Sequence, residues 1–166
     1  MEYTHLTHTF SPVFDDRSEV LILGSFPSVK SRQNQFYYGH PQNRFWKVLA
    51  AVFEDQVPVT IEEKQHFLLR NHVAVWDVIH TCDIAGSSDS SIRNVTGNDM
   101  SIILNQAPVR RIFANGDKAY QLFLKYCRQE GQPVIEKLPS TSPANAAWNL
   151  QRLTGAWKAV REAVQL

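Results

Sequence analysis

Between Gly24 and Phe53 the chain carries no Asp or Glu. That absence removes the carboxylate ligands that hard metal ions need from the whole stretch, and leaves a segment suited to a polyanion and a planar base. Cysteine is scarce: Cys82 and Cys127 are isolated and far apart. Two thiolates cannot supply the four that an iron–sulfur cluster usually takes; packing in a reducing compartment suits them better. His66, His72 and His80 lack metal-ligand spacing, so neither a metal nor a cofactor is expected. No apolar run approaches the ~20 residues of a membrane helix, and no basic segment followed by an apolar stretch opens the chain, so no signal peptide is expected. The expected location is the cytoplasm, at the nucleoid if the ligand is DNA. Net charge is +1, so any case for nucleic acid rests on local charge. With no internal repeat, low-complexity tract or linker, residues 1–166 are expected to form a single domain.

What is present is an alternation of strands and helices. Val20 to Leu23 is an apolar run closed by Gly24, the pattern of a strand buried on both faces. Val73 to Val78, Arg111 to Ala114 and Val134 to Leu138 read as three more strands. Helical spacing places Phe45, Trp46, Leu49, Val52 and Phe53 on one helix over Asn43–Phe53. Thr60 before Glu62-Glu63 reads as a cap of a helix to about Arg70. Asn98 or Asp99 caps a short helix through Leu104, and Asp117 one to about Arg128. A last helix starts at Asn145 or Asn149 and runs to Val164. Residues 29–36 read as a polar, basic loop and Thr81–Thr96 as a long functional loop. The expected fold is α/β: a three-layer α/β/α sandwich around a central four-stranded parallel sheet.

Right-handed crossovers bring all four strand-end segments to one rim: Gly24–Ser28, Trp76-Asp77, Asn115-Gly116 and Ser140–Asn145. Open α/β sheets bind ligands there. Lys30, Arg32, Arg44 and Lys47 surround the first segment. Lys137, Arg152, Lys158 and Arg161 accompany the last, before Glu162. Such a face suits the phosphates that supply much of the affinity for nucleic acid.

Each residue has two readings. Gly24 and Pro27 either shape a turn or open backbone N–H groups of Ser25 and its neighbours to a ligand. Asn43 is either a helix cap or a reacting amide. His40 either acts as an acid or water-orienting group, or holds its loop. Asp77 is a charged helper or a buried partner of loop N–H groups. Ser87–Ser91 binds phosphate or caps a helix. Phe26, Tyr38 and Trp76 are candidates to stack on a base, whereas Phe45, Trp46, Trp148 and Trp157 fit packing roles. Ser140 and Ser142 sit in a strand-to-helix turn suited to phosphate.

These elements resemble the uracil-DNA glycosylase superfamily. GSFPS (Gly24–Ser28) is similar to its first motif, and LPSTSPAN (Leu138–Asn145) to its Pro-Ser-centred second motif, which grips the DNA strand. With YYGHPQNRFW (Tyr37–Trp46), WDV (Trp76–Val78) and GSSDSSI (Gly86–Ile92) between them, the set is most similar to the hypoxanthine-DNA glycosylase branch, also called DNA-deoxyinosine glycosylase. The resemblance spans about Val20 to Val164. It implies a monofunctional hydrolase of N-glycosyl bonds in base excision repair that flips a deaminated purine out of double-stranded DNA and works as a monomer.

Two positions depart from the superfamily pattern. Phe26 stands where uracil-excising branches carry a water-activating Asp or Asn, and Leu138 where many carry His. The resemblance therefore moves catalysis to Asn43, with His40 beside it. It implies base contacts from Gly24, Ser25, Phe26, Tyr38, Trp76 and Asp77. It implies DNA contacts from Pro27, Ser28, Lys30, Arg44, Ser140, Thr141, Ser142, Pro143 and Asn145, with Pro143-Ala144 as the wedge. Two alternatives stay open: a mismatch-specific uracil or thymine glycosylase of the same superfamily, and a non-catalytic domain that binds damaged DNA.

Overall fold

The structure is a computed structural model that describes residues 2–86 and 89–165. In chain order its elements are Thr4–Thr7 (β1), Val20–Gly24 (β2), Val29–Asn34 (α1), Phe45–Val52 (α2), Ile61–Arg70 (α3), Val73–Asp77 (β3), Ile79–Ile84 (β4), a 3-10 turn at Asp89–Ser91, Arg93–Gly97 (β5), Ser101–Leu104 (α4), Arg111–Asn115 (β6), Asp117–Tyr126 (α5), Val134–Leu138 (β7) and Leu150–Glu162 (α6).

All four expected strands form, as one parallel sheet in the order β3-β2-β6-β7. The apolar run Val20–Leu23 is wholly buried, as are Val73–Trp76 in β3 and Ile112–Ala114 in β6, so the sheet is covered on both faces. Each Leu, Ile, Val or Phe buried this way contributes roughly 1.5–3 kcal/mol. On α6, Trp157 is fully buried; it meets Phe45 of α2 edge-on at 5.9 Å and donates from Nε1 to Pro139 O at 2.9 Å, which ties α6 to the end of β7. The capping box at Thr60 forms with Glu63, and Asn149 caps α6.

The sequence reading needs four corrections. Thr81–Thr96 is not one loop, because β4 and β5 pair antiparallel and β1 adds to β4. This second sheet is polar on its open side, where Thr81 and Thr96 hydroxyls meet at 2.5 Å and Asn94 bonds Asp83, and that polarity imitates a loop in the sequence. The basic stretch after Gly24 contains a short helix, α1, capped by Ser28. The cap of α5 is Gly116, with Asp117 in its first turn. Gly116 has φ +96°, and a Cβ there would come 3.1 Å from Ser140 Cβ, so glycine lets β6 approach the last rim loop. Asn98 is no cap: its Nδ2 donates to Asp77 O and Ile79 O and fixes the corner between β3 and β4. Asp99 instead accepts from Ser101 at the start of α4. Ser87 and Ser88, expected to bind phosphate or cap a helix, lie outside the described residues.

Candidate active site

The chain leaves β2 for β3 on one side and later reaches β6 on the other, so the sheet has a topological switch point at β2. A cavity of about 470 Å³ opens there. Its walls come from all four expected rim segments: Gly24–Ser28, Asp77, Asn115 and Ser140–Ser142 with Ala144, joined by Tyr38, His40 and Asn43. A second cavity of about 600 Å³ adjoins it, shares Ser25, Asn115, Ser140, Ser142 and Ala144, and adds Lys118, Lys137, Asn145 and Trp148.

Asn43 holds the start of α2 through its side-chain oxygen and also lines the cavity. Its Oδ1 accepts from Phe45 N–H at 2.9 Å, just ahead of α2, and from the Thr141 hydroxyl at 2.9 Å. Thr141 is fully buried and is itself held by Asn115, whose Nδ2 donates to Thr141 Oγ1 and whose Oδ1 accepts from Thr141 N–H, both at 3.0 Å. The chain Asn115–Thr141–Asn43 thus ties the end of β6, the last rim loop and the start of α2 together. With Oδ1 engaged twice, the donors of Nδ2 are what Asn43 can offer the cavity. Donation into its oxygen also polarises the amide and strengthens those donors.

Arg44 is placed differently from expectation. Its guanidinium donates to the carbonyls of Thr141, Ser142, Asn145 and Trp148, and its backbone N–H also bonds Thr141 O. Expected on DNA phosphate, it is committed to shaping the rim loop, since a planar fork with five donors suits several converging carbonyls. Trp76 is also displaced from its expected role: it is 5% exposed, does not line the cavity and belongs to the core. Asn145 lines the second cavity and holds the loop from within, Nδ2 to Ser140 O at 3.0 Å.

Thr141, expected on DNA, is fully buried and holds Asn43 and Asn115 instead; most of the other expected residues gather at the cavity. Phe26 lies in the cavity wall, 8% exposed, with the Arg32 guanidinium 5.7 Å from its ring centroid. Arg32 also donates to Pro27 O. Tyr38 stacks on Phe45 at 3.8 Å, so it is fixed as a wall and one of its faces is taken. Its φ of +51° is unusual for an aromatic residue, a kind of strain common at ligand sites. His40 is exposed at the cavity mouth, and its Nδ1 accepts from Gln42 N–H, leaving Nε2 as the donor. The Ser140 and Ser142 hydroxyl oxygens accept from Ser142 and Ala144 N–H groups, so their hydrogens remain to be donated. Pro143 and Ala144 form the tip of that loop, and Lys30 is exposed on α1.

Behind Asp77 lies a residue that no sequence pattern singles out. His8, just after β1, donates from Nε2 to Asp77 Oδ2 at 2.9 Å, with both side chains at most 5% exposed. Sixty-nine positions separate the two, and no motif surrounds His8. Asn115 was legible as a strand end but not as a partner of Thr141. Burial first, and then the charge of Asp77, push the Tyr38 phenol up; the Asn115 amide offsets this only in part, from outside good hydrogen-bond geometry. Among the described residues no three His, Cys, Asp or Glu side chains gather as metal donors.

A family model, that of the uracil DNA glycosylase superfamily, matches residues 11–162. The chain belongs to the uracil-DNA glycosylase superfamily. Two curated relatives are also similar to it. The chain is 37% identical over 155 residues to a hypoxanthine DNA glycosylase of Methanosarcina acetivorans, covering 91% of this chain and 95% of that protein. It is 36% identical over 140 residues to a hypoxanthine DNA glycosylase of Methanosarcina barkeri, covering 82% and 86%. Among solved structures it is similar to a candidate uracil DNA glycosylase of M. acetivorans, determined in solution by NMR, with a TM-score of 0.79, 35% identity, and 93% and 96% of the two chains covered. The chain places its motif loops at the carboxyl ends of parallel strands, which is where the cavity lies.

Proposed function

We propose that the protein is a hypoxanthine-DNA glycosylase: it hydrolyses the N-glycosidic bond of a deaminated purine flipped out of double-stranded DNA, the first step of base excision repair. The observation that carries this reading is the state of Asn43, whose oxygen is held by Phe45 and Thr141 while its amide hydrogens remain for a ligand. Bond cleavage leaves positive charge on the sugar and negative charge on the base. A pre-aligned donor that meets the charge as it develops lowers the barrier. Asn43 Nδ2–H supplies such a donor to the departing base. An amide held this way is a poor base for water, and Phe26 provides none. The cationic sugar reacts with water without a strong base: the C1′–N9 bond breaks, a C1′–O bond forms, the base keeps the electron pair and takes up a proton, and the attacking water loses one. His40 Nε2–H and backbone N–H groups after Gly24 are further donors at the same cavity.

Phe26 supports a stacking role for the flipped base. Ser140 and Ser142 hydroxyls, with Lys118 and Lys137 along the second cavity, suit phosphates on the strand. Pro143-Ala144 is shaped to fill the gap the base leaves. Arg44 acts by holding this loop. Action as a monomer in the cytoplasm goes with this reading, and sedimentation of the protein with damaged duplex should give a 1:1 complex.

The test is base release from matched duplexes carrying a single hypoxanthine or a single uracil, with wild type beside Asn43→Ala. Hypoxanthine should be released faster than uracil, and the variant should lose about 10²–10³-fold, the cost of deleting one such donor. Faster uracil release would shift the reading to the uracil and thymine branch. Binding without release of either base would make the protein a reader of damaged DNA.

A further inference from the structure

A third cavity, of about 640 Å³, lies between β5 and α5, away from the residues that meet the base. Its walls carry Arg93 from β5 and Lys118 and Lys125 from α5, and among the described residues that line it there is no Asp or Glu. The acid paired with Arg93 across the ladder, Asp83, has its carboxylate engaged by His5 and Asn94. None of the three cations makes an ion pair with a described residue. Arg93 and Lys125 are exposed and Lys118 is half-buried. The Tyr3 ring steadies Arg93, whose guanidinium carbon lies 3.5 Å from its centroid, and the Tyr126 ring lies 5.3 Å from the Lys125 ammonium. On α5, Lys118, Gln121 and Lys125 follow helical spacing, so they share one face. The groove is closed at its far end, where Gly97 lets β5 approach α5: a Cβ there would lie 2.8 Å from Cys127 Sγ and 3.2 Å from Tyr126 O.

We propose that this groove holds the phosphate backbone of the DNA arm that flanks the lesion, beyond the reach of the catalytic cavity. This rests on the glycosylase reading above and extends its DNA track. Continuity comes from Lys118, which lines both this groove and the second cavity; the second cavity in turn shares Ser25, Asn115 and Ser140 with the first. The three cavities form one path that runs from the flipped base along the rim and down α5. Asp117, the acid on that path, is offset by Lys137 at 3.2 Å. Clustered, unpaired cations repel one another, and a polyanion relieves that repulsion while it releases its own counterions. The spacing also suits a nucleic-acid strand. From Lys118 to Lys125 α5 rises ~10.5 Å at ~1.5 Å per residue, and a strand of B-DNA advances that far in about three nucleotides at ~3.4 Å each. Contacts to phosphate carry no sequence information, so the groove holds an arm of any sequence. A chain of net charge +1 gains a DNA-binding face only by such local segregation of charge.

The experiment measures the salt dependence of binding to duplexes whose 2′-fluorinated deoxyinosine resists cleavage, with wild type beside the double variant Arg93→Gln, Lys125→Gln. One duplex has an arm of about one helical turn on each side of the lesion. In two others, one arm or the other is cut to less than half a turn and closed by a hairpin. On the fully armed duplex the double variant should lose about two units of salt slope, ~0.9 for each phosphate contact removed. Cutting one particular arm should cost wild type the same amount and erase the difference, and cutting the other should leave the difference intact. A variant that matches wild type on the fully armed duplex, or a difference that ignores which arm is cut, would overturn the proposal. Melting temperatures should agree, since both side chains are exposed. Lys125→Gln alone, losing about one unit, carries the test should the double variant not fold. Base release from a cleavable hypoxanthine duplex is run alongside with enzyme in saturating excess, and its rate should be unchanged in the variant, because the groove touches no reacting atom. Arm-dependent binding with no base release sinks the glycosylase reading alone, whereas base release with no arm dependence sinks the groove alone.

Discussion

The two ends of the parallel sheet treat buried polar groups in opposite ways. At the amino-terminal edge Glu19, next to β2, is saturated. Its carboxylate meets His72 Nδ1 at 2.5 Å, Arg110 at 2.6 Å and the Gln165 N–H at 3.1 Å, so residues preceding β2, β3 and β6 are joined to the chain's last turn. At the carboxyl-terminal edge the Tyr38 hydroxyl, Asp77 Oδ1 and the amide hydrogens of Asn43 are left over. Saturated groups hold a fold, and unsatisfied but well-supported ones wait for a ligand. The contrast also separates positioning from contact within the site, because Arg44 and Thr141 are satisfied by the protein while the groups they orient are not.

The sharpest way to break the contrast is at Arg44. Arg44→Lys replaces a planar fork by one ammonium that cannot match four carbonyls, and a loop misplaced by ~1 Å can cost about 10² in rate. Base release should fall by about that factor, while the salt dependence of DNA binding stays unchanged. Loss of about one unit of the salt slope, as expected for a phosphate ligand such as Lys30, would return Arg44 to the DNA contacts. Next comes Glu19→Gln, which should lower stability by about 2 kcal/mol while base release at neutral pH is retained. Its pH dependence has a definite sign. Burial alone would raise the Glu19 carboxyl, but the hydrogen bonds from His72 and the Gln165 N–H, with the charge of Arg110, take it below the ordinary 4.5. A lowered folded-state value means that its stabilisation is complete above 4.5 and is lost as pH falls through the folded value. Melting temperature against pH should therefore drop less steeply on the acid side in the variant; parallel curves would show that Glu19 is not the group responsible. The smallest effect belongs to Arg70→Ala on the same side of the sheet. Arg70 grips Asp55 with two hydrogen bonds at 2.9 and 3.0 Å but is half exposed, so urea unfolding should register no more than about 1 kcal/mol.

Legibility in the sequence followed burial. Val20–Leu23 and its three partner strands were readable because strands covered on both faces are apolar without interruption. The second sheet was not: Thr81, Asp83, Asn94 and Thr96 serve an open face and carry the composition of a loop. Among site residues, those that precede or follow a buried strand, or stand in a motif, were readable. Arg44 was readable as a charge but not as a loop clamp, because its four carbonyl partners lie about a hundred positions away.

The sequence by itself determined the parallel core, the rim on which the motif loops meet and the superfamily, because hydrophobic runs, strand-ending glycines and motif loops are local. Only the tertiary structure decided what each polar atom is free to do. It engaged the Asn43 oxygen and left its amide hydrogens over, bound Arg44 to four carbonyls of the last rim loop, sent Trp76 into the core and put His8 behind Asp77. Whether a hydrogen-bonding group is spare depends on partners brought from distant parts of the chain, and no local pattern records them.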